Sequence, residues 1–121
     1  MTEPVSPDEP WLMPFLRKMS LRPVMYLYTE TIFALEVYVS GYRRARVDLG
    51  FPPYGRGEET LLADFSKWLE EKMKLHDTRG WLGLIDRADP SPKSIHTFIR
   101  LFDEFLKTSA GVAEGLGSRP K

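Results

Sequence analysis

SPKSIHTFIRLFDEFLK, residues 91–107, is the stretch around which the rest of the chain is organised. Ile95, Phe98, Ile99, Phe102, Phe105 and Leu106 recur at three- and four-residue spacing, which makes one apolar stripe on a helix. Ser91 is the expected N-cap, with Pro92 at the first helical position, where a missing N–H costs nothing. Arg100, Asp103, Glu104 and Lys107 fall on the opposite face as a solvated, mutually paired set. Such a helix needs other apolar faces to pack against it, and the chain N-terminal to it supplies them.

A first helix is predicted from Asp8–Pro10 to about Ser20, with Trp11, Leu12, Phe15, Leu16 and Met19 as its stripe and Pro14 distorting its first turn. Pro23 is expected to end it. LRPVMYLY, residues 21–28, reads as a buried irregular connector. Thr29 is the expected cap of a second helix running to Gly50, with Ile32, Leu35, Val39, Tyr42 and Ala45 facing inward and Tyr38 and Leu49 alongside. FPPYGRGEE, residues 51–59, is a loop. A third helix follows from Thr60 through TLLADFSKWLEEKMKL, then a turn at HDTRG and a short helical segment in GWLGLIDRA. The fold class is therefore an all-α, single-domain bundle of four longer helices plus one short helix, spanning residues 1–108, with 109–121 a mobile C-terminal tail.

Seventeen basic and seventeen acidic residues balance to zero net charge, which gives no electrostatic footprint for nucleic acid. Charge is nonetheless uneven: residues 58–77 carry six acids against three bases, and residues 78–121 seven bases against five acids. There is no cysteine, so disulfides, thiolate catalysis and cysteine-held metal are excluded. The acidic, Pro-rich start is unlike a signal peptide, and no apolar run is long enough to cross a bilayer. A cytoplasmic protein with no cofactor or metal, no nucleic-acid partner and no membrane partner is expected.

Only two histidines are present, His76 and His96, with no nucleophile recognisable beside them. Glu58/Glu59, Glu70/Glu71 and Asp103/Glu104 are neighbours, which point about 100° apart on a helix and do not share a site. The glycines of GRGEE lack the strand, lysine and hydroxyl of a phosphate loop. Arg43, Arg44 and Arg46 at the end of the second helix match its dipole and read as solvated. Tyr54 and Trp81 stand beside glycines, where helical period does not force burial, and are either core-edge packing or binding anchors.

RKMSLRPVMYLY is similar to the opening signature of type II topoisomerase ATPase domains, whose later nucleotide-binding motifs this chain lacks. RPVMYL, SGYRRA, DFSKWLEEKM, RGWLGLI and IRLFDEFL together resemble a group of small bacterial helical proteins. The likeness rests on Arg22, Pro23, Met25, Tyr26, Gly41, Tyr42, Phe65, Trp68, Gly80, Trp81, Phe102, Asp103, Glu104 and Phe105, and departs from the pattern at Val24 and Tyr28. The resemblance implies a component of toxin–immunity loci or another adaptor, without catalytic residues. The expected function is a non-enzymatic immunity protein that occludes a cognate toxin, its contact surface drawn from Tyr54, Arg56, Glu58, Glu59, Asp64 and Trp81. The alternative is a small ligand-binding or enzymatic bundle with a pocket near His76 and Trp81, using Asp77 and Arg79. A homo-oligomer remains open.

Overall fold

In the computed structural model, which describes residues 7–108, the chain is all helical. The elements are α1 (Leu12–Leu21), α2 (Pro23–Tyr26), α3 (Ile32–Asp48), α4 (Glu58–Met73), α5 (Trp81–Ala88) and α6 (Ser94–Thr108). The four longer helices and the short α5 match the sequence reading; α2, a single turn, is additional. The expected tail, 109–121, lies outside the described residues.

α6 occupies the centre. Ile95, Phe98 and Phe102 are fully buried, and Phe65 of α4 meets Phe98, Phe102 and Phe105 at ring-centroid distances of 6.0, 4.8 and 5.3 Å. Leu84 and Ile85 of α5, Leu35 of α3 and Leu16 of α1 close the core around them. Edge-to-face aromatic pairs of this kind add a few tenths to about 1 kcal/mol each beyond the area they bury.

Several boundaries differ from the sequence reading, each for a local reason. α1 begins at Leu12, with Pro14 inside the first turn, where its missing N–H breaks no hydrogen bond. Pro23 ends α1 as expected, since Arg22 before it leaves the helical region (φ −147°, ψ 74°), and it also opens α2 at that helix's first position. Thr31, rather than Thr29, caps α3: its Oγ1 accepts from Ala34 N at 3.3 Å, while Ser94 Oγ takes the Ile32 N–H at 2.8 Å. α4 starts two residues before Thr60 and stops at Met73, because Lys74 adopts the left-handed region (φ 54°) and Leu75 N turns back to Glu70 O. Ser91 does not cap α6. It takes part in a turn instead, donating its N–H to Asp89 Oδ1 and accepting from Lys93 N, and the helix begins at the buried Ser94.

Two charged residues lie inside the fold. Arg46, expected in solvent, is 6% exposed. Its guanidinium donates to the carbonyls of Pro7 (2.7 Å) and Pro52 (2.8 Å) and lies over the rings of Trp11 and Phe51. It takes the inward position expected of Tyr42 and Ala45, both of which are exposed. Glu58 is 2% exposed, and its carboxylate accepts from Met13 N (2.8 Å), Gly55 N (3.1 Å) and Trp11 N (3.2 Å). It thus supplies from α4 the cap that α1 lacks in its own sequence, with the negative charge at the positive end of the α1 dipole.

Candidate functional site: an apolar face on α2 and α3

A helix apolar on one stripe buries that stripe; a helix apolar on two leaves one over. α3 carries two. Ile32, Leu35 and Val39 face the core, whereas Phe33, Val37, Tyr38, Tyr42 and Val47 are exposed. The connector before it behaves in the same way. Against expectation it is buried only at Leu27: Leu21, Val24 and Met25 are exposed, and Tyr28 is 99% exposed. α2 packs on α1, and of its side chains Tyr26 is packed against the core while Val24 and Met25 stay in solvent.

Between this connector and α3 runs an open groove of about 460 Å³, with Tyr26, Tyr28 and Thr31 on one side and Phe33, Val37 and Tyr38 on the other. Two smaller depressions continue it across α1, sharing Tyr26 and Lys18. The aromatic side chains between them are stacked and pre-organised. Phe15 lies parallel to Tyr38 at 4.2 Å and edge-on to Tyr26 at 5.9 Å, and Trp11 lies parallel to Tyr42 at 4.3 Å. Trp11 is itself pinned through its indole N–H to Pro53 O at 3.1 Å. Lys18 and Arg22 are the charged residues lining the three depressions; no carboxylate does so among the described residues.

The segment between α2 and α3 is tied to α6 through Glu30. Glu30 O accepts from Ile95 N at 2.8 Å, and its side chain holds His96 Nε2 at 2.6 Å. That hydrogen bond, chiefly, holds the Glu30 carboxyl below the usual range, against a smaller opposing effect of burial.

The residues picked out from sequence fall elsewhere. Trp81 is buried against Phe65 and Phe98, so it packs the core and presents no anchor. Glu58 is spent on capping α1 and likewise faces no partner. Tyr54 is half-buried, stacked on Trp11 with Arg43 over its ring; burial raises its phenol above the usual value, with Arg43 pulling the other way. Arg56 is paired with Asp8 at the surface. Glu59 and Asp64 are exposed on α4. The six therefore form no single surface.

Around His76 and Trp81, where the alternative pocket is expected, the structure places an ion network. Asp77 accepts from the backbone and side chain of Arg79 and lies 3.8 Å from Arg87, while Arg79 also reaches Asp86. Gly83 has no room for a β-carbon because the Asp77 carboxylate rests there. His76 is held by Glu70 and His96 by Glu30, on different elements. No group of three or more His, Asp or Glu side chains is placed to hold a metal ion among the described residues. No helix among them is long and apolar enough to cross a membrane.

Protein-family models, curated proteins and solved structures were all compared with the chain. None matches it.

Sequence reading does not find the exposed face, because the apolar connector reads as buried and the helical period of α3 points to its inner stripe alone. The signal that finds it is the second apolar stripe of α3, at Phe33, Val37 and Val47, which a single inward face does not use.

Proposed function

We propose that this protein is a non-enzymatic binding module that holds a segment of another protein in the α2–α3 groove. The observation that carries this reading is Tyr28, a large aromatic wholly in solvent beside a pre-formed apolar groove. Contiguous exposed apolar surface costs solubility and is a recurrent mark of interaction sites. Its aromatic composition suits a contact centre. With Lys18 and Arg22 at the edge and no lining carboxylate, the fitting occupant is an amphipathic segment with apolar anchors and acidic flanks. Neutralising a cognate toxin, as the sequence resemblance implies, is one form this module takes: the groove would hold an acidic element of the toxin.

The test is site-specific photo-crosslinking in the source cells, with the probe at Met25 or Tyr28 and, as a control, at the exposed Lys67 on α4. The expected product is one partner joined through an acidic, amphipathic peptide from both groove positions and not from the control. The toxin form further requires that this partner be toxic when expressed alone and harmless beside the wild-type chain. Equal labelling from all three positions would overturn the groove as the binding site. So would groove probes that label only lipid, since the face would then rest on an anionic membrane.

A further inference from the structure

α3 carries a pattern that the groove does not exhaust. Phe33, Val37, Ser40, Arg44 and Val47 follow one another at intervals of four, three, four and three residues, and all five are exposed. That alternation has the 3.5-residue spacing of a two-helix coiled-coil seam, with Phe33, Val37 and Val47 apolar and Ser40 and Arg44 polar. Within the described residues no helix lies on it. A single 17-residue helix offers a seam about 25 Å long.

The residues flanking the seam identify the occupant. In an antiparallel pairing of α3 with another α3, Val37 lies across from the partner's Ser40, and Arg44 across from the partner's Phe33. On one flank Glu36 then meets the partner's Arg43, twice by symmetry. On the other flank Gly41 meets the partner's Ala34, also twice. The two flanking pairings and the Arg44–Phe33 pairing suit their chemistry. Neither Glu36 nor Arg43 has an ion-pair partner among the described residues; the Arg43 guanidinium rests over the Tyr54 ring at 4.9 Å, with no carboxylate beside it. A β-carbon at Gly41 would touch nothing within 4 Å, so the backbone there is bare and lets a second helix approach closely. A guanidinium over an aromatic face, as with Arg44 on the partner's Phe33, is favourable. The present Arg44–Asp48 pair is exposed and contributes little.

We infer that the chain self-associates through α3, as a two-fold antiparallel dimer in which Glu36 pairs with the partner's Arg43. One helix pair is a small interface, of the size that goes with weak, reversible association. The inference stands apart from partner docking, although Phe33 and Val37 belong to both surfaces. A docked dimer would cover that part of the groove, so an incoming partner would have to displace the second copy.

Sedimentation velocity on the purified chain, from about 1 µM to about 500 µM, tests this without any other protein. The expected weight-average mass rises from the 14.0 kDa of one chain toward twice that value. Glu36→Arg and Arg43→Glu, each made alone, set like charges opposite each other twice and weaken the dimer about tenfold. Combined, they restore the pairing with its sense reversed, and the dissociation constant returns to within about twofold of wild type. Helical circular dichroism and the melting temperature, read on each variant, identify any that fails to fold. Glu36→Gln is the milder substitute and weakens association about threefold. A chain that stays monomeric throughout the range overturns the inference. So does a dimer unmoved by the single reversals, or one that the double reversal fails to recover.

Discussion

The Glu58 carboxylate gives the sharpest quantitative test of how this fold is held. Three backbone N–H groups converge on it from Trp11, Met13 and Gly55, across as many as 47 positions of sequence. Hydrogen bonds to a charged acceptor are worth roughly 1.5–3 kcal/mol each, and donors left buried without one cost about as much. The three are not independent, since one side chain makes them all, so Glu58→Ala should cost about 3–5 kcal/mol. For a domain of this size that corresponds to a fall in Tm of about 12–20 °C. Glu58→Gln keeps an oxygen for Trp11 and Gly55, which share Oε1, but turns an amide N–H toward the Met13 N–H. It should therefore lose about half as much. Glu59→Ala, next door and exposed, should stay within about 0.5 kcal/mol of wild type. Urea unfolding monitored by circular dichroism measures all three, with an unchanged m-value confirming that the native state is the same. An alanine variant within about 1 kcal/mol of wild type would refute the assignment of Glu58 as the cap of α1.

Three further outcomes are expected. A β-carbon at Gly55 would land on the Pro10 backbone and the Glu9 carbonyl, so Gly55→Ala should lower the urea midpoint by the equivalent of about 2 kcal/mol or more. Lys74 sits in the left-handed region with an exposed side chain, and Lys74→Gly should raise stability by about 0.5–1 kcal/mol in the same assay. The Asp77 carboxyl is held below its usual range, first by the Arg79 side chain and then by the Arg79 backbone N–H. Because the unfolded chain takes up that proton first, the stabilisation is present above about pH 4 and is lost as pH falls through the lower native value. Urea midpoints followed downward from about pH 5 should fall less steeply in Asp77→Asn than in wild type.

Where burial follows from periodicity, the residues announce it. α6, α4 and α5 place Phe98, Phe65 and Ile85 inside as their spacing says, and the all-helical class follows from those segments alone. Long-range polar partners leave no such trace. Arg46 and Glu58 look like ordinary surface charges until carbonyls 39 and 6 residues away, or amides 45 and 47 residues away, are brought to them. The Thr31 cap is decided in the same way, because Ser94 Oγ occupies the Ile32 N–H from 62 positions off. The candidate site is harder still. An apolar residue reads as buried by default, whereas Tyr28 and Val37 are exposed because no other element among the described residues covers that side of α3. Sequence spacing shows that α3 has two apolar stripes; it does not show which one the rest of the chain leaves uncovered.

The central position of α6 also bears on how the protein emerges from the ribosome. α1, α3, α4 and α5 are all translated before the helix whose phenylalanines they enclose; α5 can pack on α3 and α4 first, but the core stays incomplete until α6 has been made. Until then Phe65, Leu84 and Leu35 stand open on partly assembled chains, next to a connector and an outer α3 stripe that remain apolar even after folding. Nascent chains with so much uncovered surface are the ones that aggregate or recruit chaperones. The timing of α6, more than the strength of any contact it makes, then governs how much of each newly made chain reaches the native state.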